Sequence, residues 1–68
     1  MYREVFSSRL KAARKEMDVP QRKVAEETNI PPSTIAKYET GKLEPDLEKL
    51  GQLAAFFNKS PGWFIGLT

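Results

Sequence analysis

The 68-residue chain contains no cysteine and no histidine. Those absences exclude disulfides, thiolate or imidazole metal centres, and Cys/His nucleophile pairs. No apolar run approaches the roughly 20 residues that cross a bilayer. The opening stretch MYREVFSSRLKAARKE alternates charged and apolar residues, so it is not a signal peptide. Paired carboxylates at a catalytic spacing are missing, as are metal-ligating clusters and nucleophile–base sets. An enzyme is therefore not expected, and neither is a cofactor or a metal. No segment alternates with period two for long enough to make a strand. Internal repeats and low-complexity segments are also absent.

What is present fits one small all-α domain spanning residues 1–68. A chain of this size buries only about 60% of its unfolded surface. Without staples, stability then rests on well-packed helices or on a partner subunit. The net charge of +2 is unevenly spread. Residues 1–23 carry seven basic and three acidic side chains, residues 24–45 two and four, and residues 46–68 are balanced. A basic N-terminal third is compatible with a nucleic-acid face, and equally with a solvated charged helix.

The apolar spacing reads as five helices. Phe6, Leu10, Ala13 and Met17 recur at helical intervals and predict a first helix of about four turns, ended by Asp18. Pro20 starts a short second helix that carries Gln21, Val24, Ala25 and Thr28 on one face. Asn29 accepts the left-handed conformation at its end. Ile30-Pro31-Pro32 cannot be helical throughout, so the third helix starts at Pro32 or Ser33, with Ile35, Tyr38 and Glu39 on one side and Gly41 as its stop. Residues 43–45 are extended. Asp46 opens a fourth helix with Leu47, Leu50, Ala54 and Phe57 as its stripe, and Asn58 closes it. Ser60-Pro61 reads as the cap and first residue of a last short helix over residues 62–65.

The centre of the chain, QRKVAEETNIPPSTIAKYETGK from Gln21 to Lys42, is a helix, a tight turn and a second helix. Ala25 is small where two crossing helices approach closely, and Ile30 and Ile35 lock the second helix onto the first. This is the arrangement of a helix-turn-helix at about residues 21–40. The motifs FSSRLKAAR (6–14), PQRKVA (20–25), NIPPSTIAKYETGK (29–42), PDLEKL (45–50), LA (53–54) and SPGWFIG (60–66) together resemble the phage repressor/Cro family, also called the XRE family.

That resemblance implies a compact five-helix, lambda-repressor-like DNA-binding domain. It implies that Gln21, at the start of the second helix, touches a backbone phosphate and supports the reading helix. The outward positions of that reading helix are Pro32, Ser33, Thr34 and Lys37. Thr40, Gly41 and Lys42 match positions where backbone N–H groups and side chains hold phosphate, and Arg22 is expected to add a phosphate contact beside Gln21. Arg14 and Glu39 match a structural ion pair. Three departures bear on function. Asn29 stands where the family commonly has Gly. Pro20 and Pro31 replace Ser or Thr caps. Pro32 occupies the position of a base-reading Gln, and proline makes no bidentate contact to adenine, although it packs against a thymine methyl. Base reading then falls on Ser33, Thr34 and Lys37, with Lys37 to guanine the favoured polar contact.

Trp63, Phe64 and Ile65 are three consecutive bulky residues, and Leu67 follows. One short helical turn does not point all of them at one core. One or two are expected in the core, and Trp63, Ile65 and Leu67 are expected at a homodimer interface, formed free or on DNA. The functional expectation is a sequence-specific transcription regulator that acts on a pseudo-palindromic duplex operator. Repression is inferred from the family alone, and so is a cytoplasmic, nucleoid-associated setting in a bacterium or phage. An antitoxin or restriction-modification controller of the same fold remains an alternative. A protein-interaction module that has lost DNA binding is a third reading, disfavoured because the Gln21–Ser33–Lys37 face carries no carboxylate.

Overall fold

Residues 2–67 are described by a computed structural model. Apolar positions three and four apart produce five helices in sequence: α1 (Arg3–Met17), α2 (Gln21–Thr28), α3 (Pro32–Glu39), α4 (Leu47–Phe57) and α5 (Pro61–Phe64). Among the described residues there is no strand. α1 packs against α3, α4 and α5, while α2 packs against α3 and α4. The core draws Phe6, Leu10 and Ala13 from α1, Val24 and Ala25 from α2, and Ile35 and Tyr38 from α3. Leu50, Leu53, Ala54 and Phe57 come from α4, and Phe64 from α5. Phe6 meets the Tyr38 ring edge-on at 5.4 Å, and Phe64 lies 6.0 Å from both Phe6 and Phe57. Burial raises the pKa of the Tyr38 hydroxyl above its ordinary value, helped by the charge of Asp46.

Two apolar positions depart from the sequence expectation. Met17 is 42% exposed and Leu47 is 86% exposed. Met17 lies in the last turn of α1, beyond the reach of the neighbouring helices, and Val19 folds back onto the core after the turn instead. Leu47 is the first residue of α4, where the stripe has not yet met the core. The buried stripe of that helix is Leu50, Leu53, Ala54 and Phe57, so Leu53 takes the place expected of Leu47.

Every positive-φ residue among those described follows a helix: Asp18, Asn29, Gly41, Asn58 and Gly66. Four of the helices end with the same pair of backbone hydrogen bonds. After α1, Val19 N–H reaches the Arg14 carbonyl and Asp18 N–H that of Lys15. After α3, Lys42 N–H reaches Lys37 and Gly41 N–H reaches Tyr38, and the ends of α4 and α5 repeat the pattern. This arrangement satisfies carbonyls that a helix end leaves bare. Gly66 was not singled out from the sequence. Its φ is +85°, and a Cβ there would meet Val5 Cγ2 at 3.3 Å, so both conformation and contact with α1 favour glycine.

The end of α3 is anchored by Glu39, which is buried. Arg14 donates to its carboxylate through Nε at 2.7 Å and Nη2 at 3.1 Å. Gln21 Nε2 donates to Glu39 Oε1 at 3.1 Å. Ser7 Oγ donates to the Glu39 backbone carbonyl at 2.6 Å, and Arg14 Nη1 donates to the Val19 carbonyl at 3.1 Å. The hydrogen bond to Glu39 raises the pKa of the Arg14 guanidinium, against a smaller opposing effect of desolvation. Three helices thus converge on one side chain. Glu39→Ala leaves Arg14 and Gln21 without their acceptor, and a loss of about 3 kcal/mol is expected. The paired replacement Arg14→Met with Glu39→Leu should cost less than Glu39→Ala alone, because no charge is stranded. Urea unfolding of the variants measures both.

Candidate nucleic-acid interface

Helix N-termini leave backbone N–H groups without partners, and a chain normally covers them with a capping side chain. α4 and α5 follow that rule. Asp46 accepts from Lys49 N–H at 2.8 Å, and Ser60 Oγ accepts from Trp63 N–H at 3.1 Å. The Lys49 N–H also holds the Asp46 carboxyl below its ordinary pKa. α2 and α3 do not follow it. Their caps are Pro20 and Pro31, neither of which offers a side-chain acceptor. Neither helix has an acidic residue in its first turn, whereas α1 has Glu4 and α4 has Glu48. The Pro20 carbonyl accepts from Lys23 and Val24, and the Pro31 carbonyl from Thr34 and Ile35. The N–H groups of Gln21, Arg22 and Ser33 meet no acceptor in the described chain. The positive ends of both helix dipoles are therefore left available to an anion.

The residues singled out from the sequence occupy this region unequally. Arg22, Pro32, Ser33, Lys37, Thr40 and Lys42 are exposed, and Gln21 and Thr34 are half-buried. Gln21 has one amide hydrogen committed to Glu39, which aligns α2 with the end of α3. Arg22 is not a bare cation. Its guanidinium lies 3.5 Å from the Glu26 carboxylate one turn along α2. A carboxylate, Glu26, therefore stands at the edge of a face on which none was expected. The i, i+4 spacing of Arg22 and Glu26 was the available signal.

The N–H groups over residues 40–42, expected to hold phosphate, all have acceptors within the chain. Thr40 N–H donates to Ala36, Gly41 N–H to Tyr38 and Lys42 N–H to Lys37, all within the closure of α3. The Thr40 hydroxyl also turns inward, donating to the Lys37 carbonyl at 3.2 Å. Beyond α3 the Lys42 side chain is exposed, and the N–H of Leu43 is the first that is not spent on an α3 carbonyl.

At the C-terminal end, the apolar cluster is less exposed than its sequence suggests. Phe64 is fully buried, and Trp63 and Ile65 are half-buried against the core. The Trp63 ring lies between two cations, Arg9 and Lys59, each 4.8 Å from its centroid. Arg9 also donates to the Trp63 carbonyl at 2.6 Å, and Lys59 pairs with Glu16 at 3.1 Å. The cluster is thus split between core, cation stacking and surface, and Leu67 is its only member that is largely exposed, at 74%.

None of the described helices is long and apolar enough to cross a membrane. No curated protein and no solved structure matches the chain. A family model described as Helix-turn-helix matches residues 10–64, from the middle of α1 to the end of α5. That span includes the Arg14–Glu39 node, both proline-capped helices and the aromatic end of the core, and the chain belongs to the XRE-type helix-turn-helix family of DNA-binding regulatory domains.

Proposed function

We propose that this chain is a sequence-specific regulator of transcription, most simply a repressor, that lays α3 in the major groove of duplex DNA. The observation that carries the reading is the contrast between helix ends. The two helices of the helix-turn-helix have bare, uncapped N-termini with no acid in their first turns, while α4 and α5 are capped by their own side chains. Leaving N–H groups open costs stability, and the cost is offset when a phosphate supplies the acceptor. Gln21 and Arg22 face phosphate at the start of α2. Ser33, Thr34 and Lys37 face base edges, with Lys37 on a guanine. Lys42 holds phosphate beyond α3. Arg22 exchanges Glu26 for phosphate on binding, since an exposed pair of this kind is worth only a few tenths of a kcal/mol.

A single reading helix touches too few base pairs to give much specific affinity once association entropy is met. Two protomers related by a dyad read half-sites about 34–36 Å apart. In this arrangement Leu67 forms the centre of the contact, with the outer edges of Trp63 and Ile65 beside it.

Selection of bound sequences from random duplex DNA tests the function, and recovery of a preferred pseudo-palindrome is the expected result. Three variant sets test the parts. Pro20→Asp should be more stable than Pro20→Ala by about 1 kcal/mol, because Asp caps α2. It should nevertheless bind the selected duplex more weakly, because its carboxylate faces the phosphate.

Lys37→Ala should relax preference at one base pair by about 1–3 kcal/mol. Lys42→Ala should weaken all sequences alike and make the log–log salt slope shallower by about 0.9. Equal losses across a sequence panel for both variants would overturn the base-reading role of Lys37.

Stoichiometry on the selected operator should be two chains per site. Leu67→Glu should lower operator affinity while leaving the urea midpoint unchanged. One chain bound to a site without dyad symmetry would sink the dimer.

A further inference from the structure

The turn between α2 and α3 encloses an open hollow of about 320 Å³. Its floor is apolar, formed by Ala25 and Ile30, both buried, and its walls are the exposed rings of Pro31 and Pro32. Arg22 and Glu26 stand at its edge as an ion pair. The hollow is continuous with the face assigned above to DNA, because Arg22 and Pro32 belong to both. Nothing on its walls from α3 donates a hydrogen bond, since Pro31 and Pro32 lack an N–H. Its polar lining is Arg22, Glu26 and Asn29, and Arg22 is already paired with Glu26. A phosphate is disfavoured against the floor and the proline rings, which offer no donor. A small apolar group presented by a base edge suits it better. In the major groove only thymine carries such a group among the standard bases, its C5-methyl.

We propose that Pro31 and Pro32, over the floor of Ala25 and Ile30, seat the C5-methyl group of a thymine, so that the operator is selected at the leading end of α3 by methyl burial instead of by a bidentate hydrogen-bond pair. This rests on the DNA-binding reading. It makes Pro32 a specificity-determining residue, and it makes Lys37, five residues further along α3, the principal polar reader. The bare N–H of Ser33 beside Pro32 holds the neighbouring phosphate and sets how far α3 enters the groove.

The test uses the selected duplex, with each thymine of one half-site replaced singly by deoxyuridine. That change removes the methyl and leaves base pairing intact. One position should lose about fourfold in affinity, the equivalent of about 0.8 kcal/mol for one buried methyl. Replacing that T·A pair by 5-methylcytosine·G should bind better than unmodified C·G by a similar factor. In Pro32→Ser the uracil penalty at that position should vanish, while the salt slope stays at its wild-type value. A duplex bound with clear sequence preference but with no uracil penalty at any thymine would overturn methyl reading alone. So would a penalty that persists undiminished in a Pro31→Ser, Pro32→Ser double variant. Failure to bind any duplex would overturn the DNA-binding reading itself.

Discussion

The posture of the reading helix depends on one buried carboxylate. The Glu39 side chain is 4% exposed, and its oxygens are held by Arg14 from α1 and Gln21 from α2. Its backbone carbonyl is held by Ser7, two turns before Arg14 on the same face of α1. Apolar burial between Phe6, Tyr38 and Ile35 supplies most of the attraction between α1 and α3, but that attraction is non-directional. Hydrogen bonds to an ionised group are directional and short. They select one rotation of α3 about its axis, and so decide which side chains face outward. The same Arg14 also ties down the Val19 carbonyl, which fixes the turn from α1 into α2. Stability and aim therefore have different sources in this fold. The apolar layers hold the helices together, and the node at Glu39 points α3.

The helix ends divide along the same line. Four of the five C-termini are closed by the chain itself, through left-handed residues that bring backbone N–H groups onto the last carbonyls. N-termini are capped by a side chain at α4 and α5, and at α1, α2 and α3 they are not. Prolines at the starts of α2 and α3 still set the backbone for helix entry, because their fixed φ suits it, but they withhold the side-chain acceptor that Ser, Thr or Asp would bring. The result leaves the positive ends of both helices without a side-chain acceptor. Pro32 extends this to the first residue of α3, where it presents an exposed apolar ring and no N–H.

The aromatic end shows how a short helix completes a small core. α5 buries Phe64 between Phe6 and Phe57, so a four-residue helix closes the gap between α1 and α4. Trp63 is too large to follow it inside, and two cations cover its ring in place of further apolar burial. Most of the apolar excess of the C-terminal segment is thereby absorbed within the chain, which concentrates the exposed remainder on Leu67.

The amino-acid sequence by itself determined the number and order of the helices, because the spacing of Phe6, Leu10, Val24, Ile35, Leu50 and Phe57 and the stops at Asp18, Asn29, Gly41 and Asn58 are local signals. The motifs carried the family, and Pro20, Pro31 and Pro32 announced uncapped helix starts without reference to any neighbour. Other features came only from how the helices meet. Met17 and Leu47 lie on apolar stripes by spacing and are exposed, because burial depends on where the neighbouring helix ends. Trp63 was withdrawn from the surface by Arg9 and Lys59, which are 54 and 4 residues away in the chain. Periodicity reports which face of a helix is apolar. Only tertiary packing decides how much of that face finds a partner, because the partner belongs to a distant part of the chain.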